Sequence, residues 1–75
     1  MKVTVKLFGI REKVWDNPLK EMALKDGSIV RDLLECLDLD ENDVGILIIN
    51  SRSATFDQIL YNKDVVTMIP VIGGG

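Results

Sequence analysis

Histidine is absent from this sequence of 75 residues, and cysteine occurs once. Without histidine the chain lacks the most common general base and the most common metal ligand. The single cysteine, Cys36, cannot form an intrachain disulfide or build a zinc site without partners. Neither GxxxxGK[ST] nor GxGxxG occurs, so no glycine loop for phosphate is present. The sequence therefore predicts no catalytic residues of its own, no metal and no cofactor.

Long apolar runs and a basic charge excess are also missing. No stretch approaches the roughly 18 apolar residues that a membrane span needs, and the first ten residues alternate charged with apolar side chains, unlike a signal peptide. The chain carries 12 acidic against 9 basic residues, a net charge of −3, which disfavours nucleic acid as a partner. These features predict a cytoplasmic domain that binds neither nucleic acid nor membrane, and the length allows one domain, residues 1–75.

The pattern of apolar residues predicts an α+β fold with strands on both sides of one main helix. Val3, Val5 and Leu7 alternate with polar residues, as in a half-buried strand. After Ser28, a plausible N-cap, apolar residues recur at helical spacing up to the acidic stretch 38–43. The predicted elements are strands at 2–8, 19–25, 44–50, 52–55 and 64–71 and a helix from Ser28 to about Asp38. One mixed sheet of four to five strands packed on that helix satisfies this order.

A single helix covers one face of such a sheet, yet the last long strands are apolar on both faces. Two interpretations remain open. Some of these side chains form an exposed apolar patch, which usually marks a partner surface, or sheet twist and the 9–18 loop shield them. The candidates for the partner surface are Phe8, Leu47, Ile49 and Met68.

Three other features have an ordinary interpretation beside a functional one. Cys36 follows the apolar helix face and is expected to be a small buried hydrophobe rather than a reactive thiol. The acidic run DLDEND lacks the glycine and distal glutamate of a calcium loop, so we interpret it as a solvated helix end. Trp15 either anchors a partner or packs against the edge of the domain.

The C-terminal segment has the most distinctive chemistry in the sequence. Pro70 is followed by Val71 and Ile72 and then by Gly73, Gly74 and Gly75. Glycines add nothing to a core, but a tail without Cβ atoms can enter a narrow channel, and Pro70 fixes its own φ and keeps Ile69 extended. The tail, about 71–75, is interpreted either as a frayed end or cloning remnant, or as a flexible segment that presents the carboxylate of Gly75 to an enzyme.

The segment Ile69–Gly75 resembles the end of MoaD/ThiS-type sulfur carriers, which are small ubiquitin-like β-grasp proteins ending in Gly-Gly. The resemblance extends to LFGIREKV at 7–14, similar to the start of the molybdopterin synthase small subunit, and to GSIVRDLLECL at 27–37, similar to the family's helix. IINSR at 48–52 and NKDVVTMIP at 62–70 resemble two further family segments. Ser51 and Lys63 stand where the family usually has glycine, and the tail has three glycines where two are typical.

This resemblance implies a β-grasp fold and a carrier cycle. An ATP-dependent adenylyltransferase of the ubiquitin-activating type would adenylate Gly75, and a sulfur donor would convert the adenylate to a thiocarboxylate. The tail, Pro70 to Gly74, would then enter a sulfur-accepting synthase such as the molybdopterin synthase large subunit. The length of segment 9–26 and Pro70 favour molybdopterin, or its tungsten equivalent, whereas Val71-Ile72 resembles the carriers for thiamine thiazole.

Other functions stay open at this point. Sulfur transfer to thiazole or tRNA uses the same fold and tail. A ubiquitin-like modifier conjugated to lysines also needs the same activation. A plain β-grasp interaction or RNA-binding module would not need the glycines at all.

Overall fold

The computed structural model describes residues 1–7 and 19–70, with the backbone alone for Pro70. It contains five strands, one α-helix and a short 3₁₀ helix at Glu41–Asp43. The strands are β1 Lys2–Leu7, β2 Leu19–Ala23, β3 Val44–Ile49, β4 Arg52–Ser53 and β5 Val65–Pro70, and the helix is α1 Val30–Cys36. The predicted element order is confirmed. Strands β2, β3 and β4 and the helix are shorter than their predicted ranges, and the predicted last residues of the first and last strands, Phe8 and Val71, lie outside the described residues. The predicted connection at 9–18 lies outside the described residues.

The strands form one mixed sheet in the order β2-β1-β5-β3-β4. Strand β5 lies in the centre, parallel to β1 and antiparallel to β3, while β2 and β4 form the two edges. A parallel pair needs a crossover connection, and the segment from β2 to β4 that includes α1 provides it. The first and last strands of the chain are thereby neighbours.

Helix α1 begins one residue later than the sequence predicted. Its N-cap is Ile29, whose backbone N–H donates to the Asp32 carboxylate at 2.9 Å. The hydroxyl of Ser28 instead donates to the carbonyl oxygen of Lys25 at 2.7 Å and closes the preceding turn. At the C-terminal end Asp38 adopts φ 56°, and the Leu39 N–H donates to the Leu34 carbonyl at 2.9 Å. This left-handed cap ends the helix in the acidic stretch, as predicted.

The hydrophobic core lies between α1 and one face of the sheet, the covered face. Val30, Leu33 and Leu34 of the helix pack against the sheet residues Val3, Val5 and Val66. The core also takes in Leu47, Ile49 and Met68, with exposed fractions of 8%, 4% and 0%. Their prediction as partner-surface residues is therefore wrong. Phe8, the fourth candidate, lies outside the described residues.

The residues on the other face, the open face, are the chain neighbours of the predicted ones. Side chains alternate along a strand, and Thr67 marks the solvent side of β5, so Ile69 shares that side and Met68 does not. In β3 a register irregularity between Val44 and Ile46 breaks the alternation. Because of it Val44 and Leu47 are both buried, and Ile46, with an exposed fraction of 50%, faces solvent.

Burial also distinguishes residues in the loop after β4 and at the end of α1. Leu60 is buried and Ile59 is exposed, so the loop after β4 inserts Leu60 under the sheet. Cys36 is exposed, and its prediction as a small buried hydrophobe is wrong. With about 100° between successive helix residues, Cys36 lies well to the side of the line through Val30, Leu33 and Leu34. Trp15 lies outside the described residues.

Candidate functional site

The base of the glycine tail is set by the central strand. Strand β5 is hydrogen-bonded to β1 on one side and to β3 on the other, and its last residue, Pro70, lies opposite Val44 at the beginning of β3. Proline has no N–H, so the ladder cannot continue through it. The described part of β5 therefore ends opposite Val44, the residue that follows the 3₁₀ helix Glu41–Asp43. Residues 71–75, which include Gly75, lie outside the described residues.

The open face lies beside this base. Ile69 pairs with Ile46, and Thr67 pairs with Ile48 on one side and with Lys6 on the other. These side chains range from partly to half exposed. A shallow hollow on this face is lined by Lys6, Ile48, Asn50, Ser51, Val65 and Thr67. The open face thus combines isoleucine side chains near the tail with a lysine farther along the sheet, a mixture suited to protein contact.

The opposite end of the sheet is held by a polar clamp that the sequence did not reveal. Asp64 has an exposed fraction of 9%, and its carboxylate accepts from Asn50 Nδ2 at 2.9 Å and from the Tyr61 N–H at 2.8 Å. The Asn50 Oδ1 in turn accepts from the Val65 N–H at 2.9 Å. The clamp fixes the β3–β4 turn to the start of β5. Its two side chains are 14 residues apart in sequence, so no local pattern could have identified it.

Charge is unevenly distributed between the helix segment and the rest of the chain. Residues 26–43 contain seven of the 12 acidic side chains but a single basic one, Arg31. Hydrogen bonds to Glu41, at 2.8 Å from Nη2, and to Asp57 raise the pKa of Arg31 above its ordinary value. The guanidinium thus joins α1 to the 3₁₀ helix and to the loop after β4. Much of the net negative charge lies on this side, and three of the six lysines, Lys2, Lys6 and Lys20, lie in strands β1 and β2.

Within residues 1–7 and 19–70, no group of three or more histidine, cysteine, aspartate or glutamate side chains is arranged to hold a metal ion. In the same ranges no helix is long and apolar enough to cross a membrane.

The site residues expected from the sequence are thus divided. Pro70 ends the central strand at the base of the tail, and Val71, Ile72, Gly73, Gly74 and Gly75 lie outside the described residues. Leu47, Ile49 and Met68 belong to the core. Sequence reasoning missed Ile46, Ile48 and Ile69, although Thr67 in β5 and the lysines of β1 indicate which side of the sheet faces solvent.

Comparison with known proteins agrees with this architecture. Among solved structures, SAMP1 from Haloferax volcanii superposes with a TM-score of 0.75 at 18% identity, with all of both chains covered. A putative molybdopterin converting factor, subunit 1, from Pyrococcus furiosus has a TM-score of 0.73 at 27% identity, covering 95% of this chain and 98% of that one. No curated protein sequence matched the chain.

The five-stranded mixed sheet with one helix is the ubiquitin-like β-grasp fold, as expected. Fold and relatives together define a ubiquitin-like sulfur carrier, a class of small subunits that are generally not catalytic. The family model of the ThiS family matches residues 5–75, and the chain belongs to that family.

Proposed function

We propose that this protein carries sulfur as a thiocarboxylate on Gly75 and delivers it in the biosynthesis of the molybdenum or tungsten cofactor. The observation that carries the proposal is the family match over residues 5–75, which includes both the folded domain and the glycine tail. A carrier needs no catalytic residues of its own. It needs a reactive end and a surface by which two enzymes recognise it.

The chemistry follows from the properties of a carboxylate. Its oxygen is a poor leaving group and must first be activated. In the active site of an activating enzyme, the Gly75 carboxylate would attack the α-phosphorus of ATP, forming the acyl adenylate and releasing pyrophosphate. A hydrosulfide or persulfide sulfur would then attack the acyl carbon and displace AMP. With hydrosulfide the product is the thiocarboxylate directly, and with a persulfide a thiol must reduce the acyl disulfide. Glycines up to the reacting carbon leave room for these catalysts to approach.

The open face is the surface by which we expect the activating enzyme to hold the carrier. It adjoins the base of the tail, and its isoleucines Ile46, Ile48 and Ile69 are large apolar side chains that a partner would remove from water. The buried residues Leu47, Ile49 and Met68 cannot serve this purpose. A partner that covers the open face would bring its own active site within reach of Gly75.

The pathway is the finer part of the proposal. The likeness to the Pyrococcus furiosus protein, titled a putative molybdopterin converting factor subunit, extends over nearly the whole of both chains. The length of segment 9–26 and Pro70 favour the same pathway. A molybdopterin synthase large subunit would then be the sulfur acceptor, and thiazole or tRNA sulfur transfer is the alternative.

Intact-mass spectrometry tests the carrier chemistry. The full chain would be incubated with ATP, the cognate activating enzyme and a sulfide source, and an oxygen-for-sulfur mass increase is expected. A variant lacking Gly75 should show no increase, while its thermal unfolding should match that of the full chain. An unchanged mass with an enzyme that demonstrably exchanges pyrophosphate into ATP would contradict the proposal.

The open face is tested with a pair of variants. Ile48→Asp should raise the KM for adenylation without changing the fold, because a buried carboxylate at the contact is unfavourable. Asp57→Asn, on the helix side, is the matched control and should leave KM unchanged. Equal kinetics for both variants would show that the activating enzyme binds elsewhere.

Two assays separate the alternative functions. The thiocarboxylated carrier mixed with the molybdopterin synthase large subunit should lose its sulfur to the pterin precursor, whereas a thiazole or tRNA carrier would be inert there. Covalent ladders on denaturing gels of cell extract, dependent on Gly75, would instead favour a protein modifier.

A further inference from the structure

A second concave surface lies at the end of the sheet away from the tail. It is a hollow of about 560 Å³ between the β3–β4 turn and the loop that follows β4. Its lining includes Arg52, Gln58 and Tyr61, together with the clamp residues Asn50 and Asp64. The volume falls in the range of about 300 to 1,000 Å³ that is usual for binding pockets. Arg52, Gln58 and Tyr61 have no part in the carrier chemistry proposed above.

The exposed groups of this hollow are unusual for so small a domain. Tyr61 is the sole tyrosine of the chain, and its exposed fraction of 66% is the highest among the large hydrophobic side chains that the structure describes. Tyrosine and arginine are the residue types enriched at the energetic centres of protein interfaces. Both belong to this one surface, and neither is needed for the core.

The charges around the hollow leave Arg52 available to a ligand. Within the described residues, no carboxylate lies within ion-pair distance of its guanidinium. The nearby carboxylates are engaged, since Asp64 accepts two hydrogen bonds from the clamp and Asp57 is paired with Arg31.

The walls of the hollow are held in place before any ligand arrives. The Tyr61 backbone is fixed by its N–H bond to Asp64, and both ends of the Asn50 amide are used within the clamp. The Gln58 carbonyl accepts from the Val30 N–H at 3.0 Å, which ties the loop to the helix. A preformed surface loses less conformational entropy on binding. The Arg52 guanidinium and the Gln58 side-chain amide have no hydrogen-bond partner among residues 1–7 and 19–70.

We infer that this hollow binds an acidic peptide segment of a partner protein, with a carboxylate on Arg52 and an apolar side chain against Tyr61. A guanidinium binds a carboxylate through two parallel hydrogen bonds, and the phenol ring offers apolar area beside it. Strand β3 separates the hollow from the base of the tail by about 20 Å at 3.3 Å per residue. A partner could therefore hold the carrier here while the tail occupies an active site, and the two contacts would reinforce each other.

The inference is tested by NMR titration of the full ¹⁵N-labelled chain. The probe is the capped peptide Glu-Asp-Phe-Asp-Glu-Leu, with Lys-Lys-Phe-Lys-Lys-Leu as its charge-reversed control. The acidic peptide should shift the amide signals of residues 50–53, 58 and 61 in a saturable manner, and the basic one should not. Arg52→Gln and Tyr61→Ala should each weaken binding at least fivefold. Lys25→Gln, which removes one charge just after the opposite edge strand, should leave it unchanged.

Three results with the peptide would overturn the inference. These are no saturable shift with the acidic peptide, shifts located on another surface, and equal affinity for the wild type and Arg52→Gln. A hexauridylate oligonucleotide that shifts the same residues more strongly than the peptide would assign the hollow to RNA instead. Thiocarboxylate formation on Gly75 is measured separately and is expected to be normal in Arg52→Gln. Failure of the peptide titration therefore leaves the carrier proposal intact, and failure of thiocarboxylate formation leaves the peptide-binding proposal intact.

Discussion

The covered face and the open face of the sheet contain similar side chains but have different consequences for the protein. Leu47 and Ile46 are neighbours in β3, yet Leu47 is 8% exposed and Ile46 is 50% exposed. Met68 and Ile69 of β5 differ in the same way. Hydrophobicity alone therefore does not distinguish the core from the proposed partner surface. Whether a residue belongs to the core or to that surface depends on the side of the strand on which it lies.

The largest difference in stability between the two faces is expected when the two neighbours in β3, Leu47 and Ile46, are each replaced by alanine. Leu47→Ala removes buried side-chain volume and should lower the free energy of unfolding by about 2 to 4 kcal/mol. Ile46→Ala, on the open face, should cost well below about 1 kcal/mol. Urea denaturation of both variants measures the difference. Equal losses would mean that the open face is covered in solution.

The polar clamp allows the same comparison between a buried carboxylate, Asp64, and an exposed one, Asp57. Asp64→Ala leaves the Asn50 amide and the Tyr61 N–H without their acceptor and should cost about 1 to 3 kcal/mol. Asp57→Asn, which removes one carboxylate charge at an exposed position, should cost less than about 1 kcal/mol. Chemical denaturation again provides the measurement, and comparable values for the two carboxylates would refute the structural role of the clamp.

A substitution in the turn beside the clamp is expected to raise stability, by less than the losses given above for Leu47→Ala and Asp64→Ala. Ser51 has φ 69°, a left-handed conformation that costs a residue with a side chain roughly 1 kcal/mol. Ser51→Gly should therefore raise the free energy of unfolding by about 0.5 to 1 kcal/mol. Ser53→Gly, in the adjacent strand β4, lacks this strain and should lower stability slightly. A melting temperature that falls in both variants would contradict the argument from backbone strain.

The smallest effect should come from the exposed ion pairs of the helix surface. Arg31 bonds to Glu41 and Asp57, but all three side chains are largely in water, where such pairs contribute little. Arg31→Gln should shift the melting temperature less than Leu47→Ala or Asp64→Ala, and the shift should shrink further in molar salt. A large decrease in melting temperature that persists in molar salt would mean that Arg31 stabilises the fold through packing and not through its ion pairs.

The sequence was sufficient for most of the fold because its local patterns are strong. Alternation in β1 and the helical spacing from Val30 to Leu34 each determine one element, and the order of elements restricts the sheet. The side of β3 could not be predicted, because the irregularity between Val44 and Ile46 resets the alternation and leaves no mark in the sequence. The clamp and the contacts of Arg31 were equally hidden, since they join residues that are far apart along the chain.

The candidate site divides in the same manner. The glycine tail is a contiguous motif, so it can be recognised from the sequence alone. The open face and the Arg52–Tyr61 hollow are assembled from different strands and loops. They require the register of the sheet before their members can be recognised as neighbours.

The central position of β5 has a mechanical consequence. A partner that draws in the tail pulls along β5, which is bonded on one side to the parallel strand β1 and on the other to β3. Both ladders would then bear the load at once, in shear, instead of separating one bond at a time from an edge. We therefore expect the domain to resist unfolding when it is pulled at its C-terminal end.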